Sequence, residues 1–273
     1  MGISYSPLRY PGGKSQMYDT ILSILKKNNL QGCHYVEPFA GGAGIAIRLL
    51  LEGVVTQITI NDFDNAIYSF WYSIVYQTEE FISTIERTPI TVEEWDRQKN
   101  IYVNGSDHSS LELGFATFFL NRTNRSGILK AGPIGGFSQD GDYKIDCRFN
   151  KLRLIELIRR IATYRTQVNV SNLDAKTLIS NFRNDHSFFF IDPPYFNKGK
   201  KLYTNFFELK DHRELAITIE AKLHGVPWII TYDVCPEIRE IYSHRIVDKL
   251  SLNYSLQEKK RAEEFLFYNN LVI

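Results

Sequence analysis

The chain has 273 residues, 44% hydrophobic and 23% charged, a composition that excludes a disordered, collagenous or coiled-coil protein. No apolar run approaches the roughly 18 residues of a membrane span, and the opening residues lack a signal peptide's apolar region, so a soluble cytoplasmic protein is expected. The formal charge of +1 argues, taken alone, against a nucleic-acid binder, and Cys33, Cys147 and Cys235 lie too far apart for a disulfide framework or a zinc site.

Patterning along the chain begins with a short strand at 34–37, a helix at 44–51, a strand at 57–60 and a helix at 64–76 that gathers Ala66, Ile67, Phe70, Trp71 and Ile74 on one face. That alternation predicts parallel strands joined by crossover helices. Helices follow at 78–88, 91–99 and 111–120, then a glycine-rich, loop-like stretch over 121–150 and a helix at 151–164, with no strand among them. Alternation resumes with a strand at 168–171, a helix at 175–181, an apolar strand at 187–191, a helix at 211–223, a strand at 228–232, a helix at 236–242 and a last strand at 265–268. The expected fold is α/β, a Rossmann-like, doubly wound and mostly parallel sheet. Residues 1–76 and 166–273 would form the catalytic domain, and 77–165 a helical and loop insertion.

Between the first strand and its helix lies Glu37-Pro38-Phe39-Ala40-Gly41-Gly42-Ala43-Gly44. Glycines there let a backbone approach a ligand, although the spacing is not that of a pyrophosphate-binding fingerprint. Asp62 follows the second strand about 20 residues on, where a carboxylate commonly takes ribose hydroxyls. Together they point to an adenosine-containing cofactor. Tyr10-Pro11-Gly12-Gly13-Lys14-Ser15 mimics the end of a phosphate-binding loop, but Leu8 stands where that loop needs its first glycine. Nucleoside triphosphate hydrolysis is therefore rejected, and Lys14 remains a candidate cation beside an anionic group.

Phe188-Phe189-Phe190-Ile191 runs directly into Asp192-Pro193-Pro194-Tyr195. Neither proline can donate to a sheet ladder, so the strand stops and Asp192 falls at its carboxyl end, where open α/β sheets place their sites. Proline also fixes φ, which sets the carbonyl of Pro193 rigidly beside the carboxylate of Asp192. Two adjacent acceptors suit an NH2 group, and Tyr195 adds a flat surface for a base. An exocyclic amine on a nucleobase is a poor nucleophile because its lone pair delocalises into the ring. Accepting both hydrogens favours a pyramidal nitrogen able to attack a sulfonium methyl held in line, with no metal or covalent intermediate required. Such a base must leave the duplex to be reached.

The order of Arg-Tyr-Pro-Gly-Gly-Lys at 9–14, the glycine turn at 37–44, Asn61-Asp62 and Asp192-Pro193-Pro194-Tyr195 resembles the S-adenosylmethionine-dependent DNA adenine-N6 methyltransferases, in particular their Dam-like, D12 group. The resemblance spans nearly the whole chain. It implies a cofactor, S-adenosylmethionine, held by Tyr10, Lys14, Glu37, Phe39, Gly41, Gly44 and Asp62, with Asp174 near the cofactor adenine and Asp192 at the reacting centre. It implies a target adenine gripped by Asp192, Pro193 and Tyr195. Asn121 to Gly127 is similar to the family's DNA-contacting loop after the recognition helix, while 130–146 does not match the GATC-reading version closely. Double-stranded DNA is the implied partner, bound by a monomer or weak dimer with no required protein partner.

The net charge hides an asymmetry that gains a role here. Residues 78–112 carry −5 and residues 121–165 carry +6. Asn121, Arg122, Arg125 and Lys130 are candidate DNA contacts, as is Lys198 in a second basic loop at 198–201. Cytosine-C5 chemistry needs an activated cysteine, and Cys235 reads instead as a small core or capping residue. Cytosine-N4 methylation is the closest rival, followed by RNA adenine or a protein amide, and by a catalytically silent DNA-binding relative.

Overall fold

A computed structural model describes residues 5–9, 14–182, 186–196, 207–255, 259–269 and 271–273. Its helices of six or more residues are α1 Tyr18–Lys27, α2 Gly44–Leu51, α3 Asn65–Tyr76, α4 Thr78–Arg87, α5 Val92–Val103, α6 Ser110–Thr123, α7 Lys151–Ala162, α8 Ala175–Asn181, α9 Leu209–Lys222 and α10 Pro236–Ile241. Its strands are β1 His34–Glu37, β2 Gln57–Asn61, β3 Val168–Ser171, β4 Ser187–Ile191, β5 Trp228–Asp233, β6 Val247–Ser255 and β7 Lys259–Asn269. No helix among the described residues is long and apolar enough to cross a membrane.

The seven strands form one sheet in the order β3-β2-β1-β4-β5-β7-β6. β1 pairs in parallel with β2 and β4, and β4 in parallel with β5, while β7 runs antiparallel to β5 and β6. Every residue of β1, β4 and β5 is buried, as befits parallel strands covered on both faces. The fold is the expected mostly parallel, Rossmann-like α/β arrangement. Its order reverses between β1 and β4: the chain leaves β1 toward β2 on one side and leaves β4 toward β5 on the other. Such a switch point opens a crevice at the carboxyl ends of the two strands.

The chain divides into two compact units, one of Met1–Pro11 with Asn65–Val170 and one of Gly12–Asp64 with Ser171–Ile273. The second holds most of the sheet, and its core packs Val36, Phe189, Ile191, Trp228, Ile230 and Phe267 with α8 and α9. The first is helical and aromatic. Phe70 of α3 stacks on Phe118 of α6 at 5.8 Å between ring centroids, and Phe81 of α4 meets the same ring edge-on at 5.5 Å. A Cβ on Gly114 would lie 2.4 Å from the Ser69 carbonyl oxygen, so α3 and α6 touch through backbone. These contacts are why α3, which the sequence reading assigns to the catalytic domain, clusters with the helical unit.

Several element boundaries differ from expectation: α5 runs on to Val103, beyond the expected end at 99, and two others bear on the site. α6 continues through Asn121, Arg122 and Thr123, which the sequence reading places in a loop. Thr123 donates its hydroxyl back to the Phe119 carbonyl (2.7 Å), so a residue that often breaks a helix instead stays within it. The expected last strand at 265–268 is the inner part of β7, one arm of a long hairpin with β6. The sequence reading has no strand at the partner arm β6, and the described part of the hairpin away from its buried Phe265–Phe267 run carries the exposed Lys249–Glu263 pair at 3.1 Å.

Candidate active site

The carboxyl ends of β1, β2 and β3 are knit together by one side chain that the sequence reading did not single out as functional. Asn61, fully buried, donates from Nδ2 to the carbonyls of Pro38 (3.0 Å) and Leu173 (2.9 Å), and its Oδ1 accepts from the Ser171 hydroxyl and the Leu173 N–H. Next to it, Asp62 accepts from the Gly41 N–H (2.8 Å) and the Asp64 N–H (2.9 Å), which pins the glycine turn to the end of β2. Ala43 closes the turn in the left-handed region with φ 42, and Gly44 opens α2. A non-glycine residue there costs about 1–2 kcal/mol, a strain that the neighbouring hydrogen bonds must hold.

Two carboxyls in this corner lie far from their ordinary range. Glu37 is only 4% exposed, and burial pushes its carboxyl up to about 8, with the charge of Asp192 adding in the same direction. Asp62 is pushed up to about 7, again chiefly by burial, against the opposing pull of its backbone hydrogen bonds. Phe39 meets Phe207 edge-on at 5.8 Å, and Phe207 in turn packs on His212 at 5.4 Å. His212 is held neutral by burial, its pKa lowered to about 4, and bonds the Tyr232 hydroxyl at 2.9 Å. Asp174 caps α8, accepting from the N–H groups of Lys176 and Thr177. Phe63 and Leu173, beside Asp62 and Asp174, are large apolar residues left 58% and 40% exposed.

β4 delivers Asp192 to the other side of the switch point. The Thr231 hydroxyl, from β5, donates to Asp192 Oδ1 at 2.7 Å. The Phe196 N–H donates to Asp233 Oδ1 at 3.0 Å. Pro193 is buried, and Tyr195 is 5% exposed, its hydroxyl donating to Glu264 of β7. The ring is thus packed inside the protein, where the sequence reading anticipates an open stacking surface. Thr231, Asp233 and Glu264 carry no motif and escape sequence reasoning, because only the register of β4, β5 and β7 brings them to the corner.

In the helical unit, the expected DNA contacts divide. Asn121 is 3% exposed and spends its amide inside the protein: Oδ1 accepts from the Arg9 N–H (2.7 Å), and Nδ2 donates to the carbonyls of Arg9 and Gly127. Arg122 is half-buried and donates to the carbonyls of Arg148 (2.9 Å) and Pro7 (3.3 Å). Burial and the positive charges of Arg9, Arg148 and Arg153 lower its pKa to about 10. Arg125 and Lys130 are exposed on the following loop. That loop is ordered by buried Asn124, which accepts from the Trp95 indole N–H (2.6 Å) and donates to the Ile128 carbonyl (2.9 Å). Gly127 has φ +74, and a Cβ there would lie 2.5 Å from the Arg9 carbonyl oxygen, so no other residue fits. Tyr10, Lys198 and the Lys14 side chain fall outside the described residues.

A doubly wound sheet with carboxyls at the strand ends on either side of its switch point has the layout in which open α/β folds place ligand sites. The model of the D12 class N6 adenine-specific DNA methyltransferases matches residues 10–263, and the chain belongs to that family. It is similar to the type II methyltransferase M.MjaIII of Methanocaldococcus jannaschii, 24% identical over 201 residues that cover 69% of this chain and 68% of that protein. It is also similar to the modification methylase StsI of Streptococcus sanguinis, 22% identical over 244 residues, spanning 83% of this chain but only 35% of StsI. A solved structure from Pyrococcus horikoshii, described as an RNA methyltransferase, aligns with a TM-score of 0.44 and 9% identity over 98% of this chain and 89% of that one.

Proposed function

We propose that this enzyme transfers the methyl group of S-adenosylmethionine to N6 of an adenine turned out of duplex DNA. The observation that carries the reading is the parallel pairing of β1 with β4, which sets buried Glu37, ending β1, and Asp192, following β4, at the carboxyl ends of adjacent strands where the sheet order reverses. The donor set fits the cofactor. A carboxyl raised to about 8 by burial is stabilised in its charged form by a cation, and S-adenosylmethionine carries two. Asp62, tied to the glycine turn, suits ribose hydroxyls, and the exposed faces of Phe63 and Leu173 suit an adenine ring.

When bound, the cofactor supplies an electrophilic methyl carbon. Asp192, oriented by Thr231, accepts one hydrogen of the target amine and would take the proton that nitrogen sheds as the C–N bond forms and the methyl carbon–sulfur bond breaks, the sulfur leaving as a neutral thioether. The Pro193 carbonyl accepts the other hydrogen. Tyr195 stacks the extruded base once its ring face is uncovered. Arg125 and Lys130, exposed on a braced loop, contact DNA, while Asn121 and Arg122 serve by holding that loop and residues 7–9. The names of the two relatives favour a modification enzyme of a restriction system.

Methylation-resolved sequencing of DNA from cells expressing the protein tests this reading. The wild type is expected to give N6-methyladenine at one sequence, and Asp192→Ala none, with cofactor binding retained. Modified cytosine alone, or undiminished methylation by Asp192→Ala, would overturn it.

A further inference from the structure

We propose that Glu264 is a positioning residue for methyl transfer: it holds the Tyr195 ring by its hydroxyl and so sets the pose against which the target base is placed. The inference rests on reading Asp192-Pro193-Pro194-Tyr195 as the amine-binding corner.

Glu264 lies on β7 and is 1% exposed. A carboxylate removed from water is costly unless it is hydrogen-bonded, and here it accepts from the hydroxyl of Tyr195, itself buried. The sheet register makes the placement more expensive still. Glu264 stands directly opposite Asp233 of β5, which is 7% exposed, so two acids face each other across an antiparallel pair. Like charges in that relation destabilise a sheet. Two steps along, on the same face, the two strands oppose Thr231 to Leu266, a pair without like charges.

The two acids are satisfied by two consecutive residues of the corner. Asp233 accepts the Phe196 N–H, and Glu264 accepts the Tyr195 hydroxyl. Thr231, two residues before Asp233 on the same strand, holds Asp192. The side chains of β5 and β7 thus grip the corner at its carboxylate, its ring and its backbone. The axis of a tyrosine ring runs through its hydroxyl, so anchoring that oxygen on Glu264 fixes the direction of the ring, and because a phenolic O–H lies in the ring plane the acceptor also biases rotation about the axis. Reaction rates fall steeply when reacting groups are displaced by even about 1 Å. Two buried acids opposed at the one place where the corner lands are therefore accounted for by placement of Tyr195 and Phe196, and not by stability of the sheet.

The test measures methyl transfer to unmethylated genomic DNA with radiolabelled S-adenosylmethionine. Glu264→Ala and Tyr195→Phe remove the same hydrogen bond from its two ends. Each is expected to lower kcat at least tenfold with the cofactor Kd within twofold of wild type, and the double variant is expected to be no slower than the slower single one. Glu264→Gln, which keeps an acceptor, is expected to recover most of the rate. A kcat within twofold of wild type in Tyr195→Phe, or losses that multiply in the double variant, would overturn the proposal. Should Glu264→Ala fail to fold, Tyr195→Phe and Glu264→Gln decide the matter. Asp192→Ala, run alongside, separates the two readings: its inactivity together with unaffected Glu264 variants overturns positioning alone.

Discussion

Glu37 keeps its proton at neutral pH because the fold has removed it from water, and that has a sign that can be measured. Its carboxyl stands near 4.5 when unperturbed and at about 8 in the folded protein. As pH rises between those values the unfolded chain releases a proton that the folded chain retains, so folding stability falls across that window and levels off above it. Asp62 contributes the same sign up to about 7. The buried His212, lowered to about 4, acts in the opposite direction below its unperturbed value of 6.5. Comparing wild type with Glu37→Gln between about pH 6.5 and 8 therefore isolates the carboxyl. The melting temperature of the free wild-type protein should drop relative to Glu37→Gln over that range. Affinity for S-adenosylmethionine, measured by calorimetry, should rise more steeply with pH in the wild type than in the variant, where Asp62 alone still titrates in the window.

At the scale of elements, α3 and α6 meet so closely at Gly114 that even a methyl group has no room. Gly114→Ala should cost about 1–3 kcal/mol in chemical denaturation, the usual range for overpacking a filled core. Other parts of the architecture could be read directly from residues. β1, β4, α2 and α8 fall where the pattern puts them, because an apolar strand closed by proline and a helix opened by glycine or by an aspartate cap are local signals. β6 carries a signal that the sequence reading passes over, since Leu250, Leu252 and Tyr254 alternate with Ser251 and Asn253. The site divides along the same line. Glu37, Asp62 and Asp192 announce themselves by standing at strand ends beside glycine or proline. Asn61, Thr231, Asp233 and Glu264 act on partners 23 to 112 positions away, and only the register of a finished sheet selects those partners.

For the whole molecule, a charge of +1 is an average over an acidic and a basic stretch, and both stretches belong to the helical unit. The basic side chains there do two different things, and salt dependence separates them. Arg125→Ala, on the exposed loop, should weaken DNA binding and lower the slope of log K against log salt by about 1, the signature of one lost phosphate contact. Arg122→Ala should instead lower the melting temperature, because its guanidinium supports the carbonyls of Pro7 and Arg148. The strand that carries Glu264 has a consequence of another kind, in time. It follows every other residue of the site in the sequence, yet it is inserted between β5 and β6. A nascent chain that has already released Asp192 and the glycine turn from the ribosome still lacks the carboxylate to which Tyr195 donates. If Glu264 positions Tyr195 as proposed, a chain stalled on the ribosome before β7 is expected to display the tetrapeptide at 192–195 without methyl transfer, which a stalled-chain assay with radiolabelled cofactor would read.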